Sequence, residues 1–158
     1  MNRQTSFFVP GHPTPQGSMV AGVNPHTGRA FVKHDNRENL LTWRGRITSR
    51  ACDHWTDDPS EAPFFVSLRF WFRRPKSHLG SGRNANIVKP SAPAFPMAKK
   101  RSDIDKLERA VLDALSDVVW IDDAQVVSVR KFKRYTEPGH AEGVRIFAQE
   151  LNDPTGLE

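Results

Sequence analysis

From Phe64 to Phe72 the chain alternates. Phe64, Val66, Leu68, Phe70 and Phe72 fall on one side, Ser67 and Arg69 on the other, which predicts a strand with one buried face. "SFFVP" reads as a shorter strand stopped by Pro10, because proline cannot donate to a ladder. "MVAGVNPHTGRAFVK" reads as two extended pieces around a turn at Asn24 to Gly28. Between Asn36 and His54 the period changes. Leu40, Trp43, Ile47 and Ala51 recur at three and four, with Arg37, Arg44, Arg46 and Arg50 largely off that stripe, so a helix is predicted. A second helical stripe carries Ile104, Leu107, Ala110, Val111, Ala114 and Leu115. "VVWI" reads as a buried extended piece, and "QVVSVRKFKRY" and "GVRIFAQE" as the last two strands.

These elements predict an α+β fold: a mixed β-sheet of about four to five strands with two main helices. A single domain is expected over residues 1–151, with a tail at 152–158 that frays. The polar stretch at about 73–101, rich in Pro, Ser, Gly, Lys and Asn, is expected to be a mobile surface loop.

Composition narrows the class. At 158 residues the chain suits one domain with a real core. The one cysteine, Cys52, excludes an internal disulfide and any multi-cysteine metal site. The N-terminus lacks an apolar run of signal-peptide length, and no run approaches a membrane span. The expectation is a soluble, cytoplasmic protein without a membrane partner. A formal net charge of +5 points to a polyanion, most often nucleic acid, although such a charge also keeps a small domain soluble.

Against that basic background, residues 99–127 collect Asp103, Asp105, Glu108, Asp113, Asp117, Asp122 and Asp123. Asp103 would point into the apolar side of the helix if it were helical, so it belongs at or before the helix start, capping free amides. Ser102 competes for that place, with Asp105 as its capping-box partner. Two carboxylates one residue apart at a helix entrance can converge on one point, and Asp122–Asp123 can complete the set if the fold brings them close. Such oxygens suit Mg²⁺, which can neutralise a phosphodiester and orient water. Each residue also has a plainer role: Asp103 as a cap, Asp105–Arg109 as an i,i+4 ion pair, Asp122–Asp123 as turn chemistry. Glu108 and Asp117 read as solvated charge.

"SDIDKLERAVLDAL", followed by "VVWIDDAQVVSVRKFKR", resembles the core signature of the RusA-type Holliday-junction resolvases, the crossover junction endodeoxyribonucleases of bacteria and phages. The signature runs D-x-D-N/K-L, D-A-L, D-D-x-Q-V and a basic strand, closely over Asp103 to about Lys133. The resemblance implies a RusA-like single domain and a homodimeric, Mg²⁺-dependent nuclease, with Mn²⁺ as a substitute, that nicks four-way DNA junctions symmetrically. It places the metal-binding aspartates on Asp103, Asp105 and Asp123, with Asp122 beside them, and leaves Asp113 as a supporting residue. The family's lysine falls on Arg109, which stays charged at any working pH. It therefore cannot act as a general base, but it can clamp a phosphate or stabilise developing charge.

Lys99, Lys100, Arg101, Lys106, Lys131 and Lys133 then read as a DNA-binding frame, with Arg37, Arg44, Arg46 and Arg50 as a further basic face. Arg130 and Arg134 share a strand with Lys131 and Lys133, so the four cannot all face one ligand. Phe95 and His78 are candidates to insert at the open centre of a junction. Trp43, Trp71 and Trp120 are candidates for the core or a dimer interface. Two other readings stand beside the resolvase: a non-catalytic basic DNA-binding protein, and a less selective flap or fork nuclease.

Overall fold

A computed structural model describes residues 2–17, 19–34, 37–98 and 102–154. The long alternating segment forms the strand at the middle of the architecture. In chain order the elements are β1 (Gln4–Pro10), β2 (Met19–Val23), β3 (Ala30–His34), α1 (Arg37–His54), β4 (Phe64–Phe72), α2 (Ile104–Leu115), β5 (Val126–Tyr135) and β6 (Gly143–Glu150). The main sheet has four strands in the order β1-β6-β4-β5, and β2 and β3 form a separate antiparallel hairpin. β6 is antiparallel to both β1 and β4, whereas β4 and β5 are parallel. A parallel pair needs a long crossover, and α2 lies within that crossover. The fold is therefore α+β with a mixed sheet and two helices, as the periodicities predict.

Both helices cover one face of this sheet. Phe64, Val66, Leu68, Phe70 and Phe72 of β4 are buried against Leu40, Trp43, Ile47 and Ala51 of α1 and Leu107, Ala110, Val111, Ala114 and Leu115 of α2. Phe7 and Val9 of β1 and Val144, Ile146 and Ala148 of β6 close the same core. On the other face Arg69 and Arg134 lie over the Phe132 ring, with centroid distances of 5.7 and 4.6 Å, and Arg145 lies over Phe8 at 5.8 Å. Trp71 stays half-buried on that open face, while Trp43 and Trp120 are core residues.

One segment differs from its sequence reading. "VVWI" is not a strand. Val119 and Trp120 are buried in a turn that follows α2, held by Val119 N to Leu115 O at 2.9 Å and by Ser60 N to Val119 O at 2.9 Å. Burial rather than extension explains its apolar run. The polar stretch after β4 has its own hydrogen bonds over residues 75–92, including two 3-10 turns at Lys76–His78 and Gly82–Asn84 and a bridge between Leu79 and Val88. His78 packs edge-on against Tyr135 at 5.5 Å, and Phe95 is exposed. No described helix is long and apolar enough to cross a membrane.

Candidate active site along the second helix

α2 begins at Ile104 because Asp103 caps it. The Asp103 backbone is extended, and its carboxylate accepts from the Asp105 amide at 3.1 Å. Ser102 does not take the cap. It is buried, and its hydroxyl donates to Pro96 O at 3.3 Å and Ala98 O at 3.1 Å. The Gln16 amide donates to Lys106 O at 3.0 Å, so the Pro-rich segment after β1 rests on the same helix start.

β5 runs antiparallel to α2 alongside it, and this decides which acids meet. Lys131 and Lys133 share the core-side face of β5, opposite Leu68 and Phe70. Lys131 Nζ donates to Asp105 Oδ1 at 2.7 Å and also to Glu108 Oε2. Lys133 Nζ, nearer the end of the strand, donates to Ser102 O at 2.5 Å and Ser102 Oγ at 3.2 Å, with Asp103 close by. Arg130 and Arg134 point to the opposite face, which is the split expected of alternate residues on one strand.

The hydrogen bond and charge of Lys131 hold the Asp105 carboxyl below the usual aspartate range, and Arg109 adds to this. Burial would lower the Lys131 ammonium, but its bonds to Asp105 and Glu108 outweigh that and raise it. Lys133 is lowered by burial, with Asp103 opposing. Lys106 is half-buried and Arg109 exposed on the next turn.

The second acidic pair stands elsewhere. Asp122 caps the short turn Asp123–Gln125, its carboxylate accepting from Ala124 N at 2.8 Å. Gln125, which the sequence reading left without a role, closes that capping box. Its Oε1 accepts from Ile121 N and Asp122 N, both at 2.9 Å, and its Nε2 donates to Ser60 O and Ala62 O, both at 2.8 Å. The glutamine of the D-D-x-Q pattern therefore ties the acidic turn to the segment before β4. Partial burial, then the charges of Asp113 and Asp122, raise the Asp123 carboxyl.

Asp105 and Asp113 are eight residues apart, about 12 Å of helix rise. Asp123 thus lies beside Asp113 near one end of α2, while Asp103 and Asp105 lie at the other. Among the described residues no group of three or more His, Cys, Asp or Glu side chains stands close enough to hold a metal ion. The expected convergence of Asp103, Asp105 and Asp123 is therefore not assembled within this chain, and the antiparallel course of α2 and β5 is the reason. Glu108, read from sequence as solvated charge, is instead only 20% exposed at its side chain and belongs with Asp105 and Lys131. Its i,i+3 spacing from Asp105 puts the two carboxylates on one helix face, but says nothing of the Lys131 that joins them. Lys99, Lys100 and Arg101 lie outside the described residues.

What this arrangement offers is an exposed carboxylate at a helix start. The Asp105 side chain is 80% exposed, so solvent ions and a large substrate can both reach it. It already grips a cation, the Lys131 ammonium, together with Glu108. Oxygen donors that converge on a cation fit a hard divalent ion in chemistry and charge. Two comparisons bear on the chain as a whole. The family model described as endodeoxyribonuclease RusA matches residues 10–146. No curated protein matches the chain.

Proposed function

The chain belongs to the RusA family of endodeoxyribonucleases, hydrolases of Holliday-junction DNA that depend on a divalent metal, and from that membership we propose that it nicks four-way junctions symmetrically as a homodimer with Mg²⁺ at the start of α2. The observation that carries the reading is the exposed Asp105 carboxylate, which with Glu108 already converges on a cation.

In this proposal Asp103 and Asp105 hold the metal. Asp103 keeps one oxygen on the Asp105 backbone amide, which fixes the Asp103 carboxylate at the helix start. When bound, the divalent ion neutralises the phosphodiester and makes water a better nucleophile. Arg109, exposed one turn further on, holds a non-bridging phosphate oxygen and stabilises the charge that develops there. Its guanidinium does not take up the water's proton, because it is protonated at every working pH. Lys106 supports the phosphate next to it. Lys99, Lys100 and Arg101 enter the DNA frame on sequence grounds.

For Asp122 and Asp123 the support is the motif and not the geometry. One chain holds them most of a helix length from Asp105. Their place in the metal set needs either a shift of their turn along α2 toward Asp105 or a second copy of the chain. A two-fold dimer matches the approximate two-fold symmetry of the junction and accounts for paired nicks.

Asp105→Asn tests the reading. A labelled four-way junction should still be shifted by the variant in a gel, while the Mg²⁺-dependent nicked product disappears. Normal cutting by Asp105→Asn would sink the mechanism. Linear duplex and flap substrates in the same gel measure selectivity, and equal cutting of all three would replace the resolvase reading with a general nuclease.

A further inference from the structure

We propose that Lys131 is a resident counter-cation of the Asp105 site, a positioning residue that holds Asp105 in place and yields it to an incoming divalent cation. The inference rests on the reading of Asp105 as a metal ligand. Three observations carry it. The Lys131 ammonium bonds Asp105 Oδ1 at 2.7 Å, so it stands where a cation bound by that oxygen would stand. The same ammonium bonds Glu108, giving it two carboxylate partners on adjacent turns of one helix face. The partners differ in burial: the Asp105 side chain is 80% exposed and that of Glu108 20%. Glu108 is thus the inner, lasting counter-ion of Lys131, and Asp105 the outer, exchangeable one.

Charge gives the direction of every effect. The trio carries one net negative charge. Removing Lys131 removes both a competitor for Asp105 and a repelling charge, so a divalent ion binds more tightly. Removing the charge of Glu108 leaves Lys131 with Asp105 as its sole carboxylate and makes the trio neutral, so the ion binds more weakly. Removing both charges restores the original sum. A trio that serves only to staple α2 to β5 predicts none of this order. It predicts loss of stability with no change in metal affinity.

The experiment is calorimetric titration of Mn²⁺ into the full chain without DNA. A charge a few ångströms from a divalent ion changes its affinity by about tenfold in a watery site. Lys131→Met should therefore bind Mn²⁺ about tenfold tighter than the wild type and Glu108→Gln about tenfold weaker, while the double variant returns to within about twofold of wild type. Should Lys131→Met fail to fold, Glu108→Gln decides alone, since weaker binding supports the proposal and unchanged binding overturns it. Saturable Mn²⁺ binding that neither variant alters overturns the role of Lys131 and leaves the metal reading intact. No saturable binding by the wild type overturns both.

Discussion

Asp103 has two duties that one substitution can separate. Its carboxylate caps α2, and in the proposed mechanism it is also a metal ligand. Asparagine caps as well as aspartate but brings no charge. Asp103→Asn should keep the wild-type melting temperature and lose Mg²⁺-dependent nicking. Asp103→Ala should lose nicking and also about 1 kcal/mol of stability, read by chemical denaturation. Loss of stability in both variants would mean that the charge, through the helix dipole, matters more than the cap. At this scale the sequence was informative about Asp103, whose place on the helical wheel excluded it from the helix. It was misleading about Glu108, because nothing local reveals that Lys131 crosses from another strand to meet it.

The acidic turn before β5 depends on Gln125. Its side chain makes four hydrogen bonds, two within the turn and two to the carbonyls of Ser60 and Ala62. Gln125→Leu keeps the bulk but leaves the part-buried carbonyls of Ser60 and Ala62 without their donor. The expected cost is about 2 kcal/mol in denaturant unfolding, since orphaned polar groups cost more than the bonds contribute. Native-state hydrogen exchange should locate the loss at Ile121 and Asp122. If those amides stay as protected as in the wild type, the turn holds its shape without the glutamine. α2 shows the limit of periodic reading. Its stripe correctly gives Leu107, Ala110, Val111, Ala114 and Leu115 as core. The pattern cannot say where along the neighbouring strand each turn of the helix comes to rest.

Across the whole molecule, the N-terminal strand is fastened to the last one through Glu150. This buried carboxylate accepts from Ser60 Oγ at 2.5 Å and from Arg3 Nε at 2.9 Å, and its Oε1 lies 2.6 Å from Arg3 Nη2. Burial would raise its pKa. The bonds from Arg3 and Ser60 outweigh that and lower it from an ordinary value of 4.5. A lowered carboxylate gives stability that is present above the unfolded value and lost as pH falls through the folded one. Denaturation midpoints should therefore fall as the pH drops below 4.5, with a smaller fall in Glu150→Gln. Equal acid sensitivity in the two proteins would assign the loss to other carboxylates.

The order of elements, the buried face of β4, the two helical stripes and the cap at Asp103 all follow from local rules of period and backbone chemistry, which a single chain displays without its partners. The acids and bases are different. Which of them meet depends on α2 and β5 running side by side in opposite directions. That course puts Lys131 on Asp105 and Glu108, sets Lys133 on Ser102, and leaves Asp123 with Asp113 about 12 Å along the helix. Charge pairing acts through space over a few ångströms and takes no account of sequence separation. The motif therefore identified the family, while the packing of one helix on one strand determined which carboxylates share a cation.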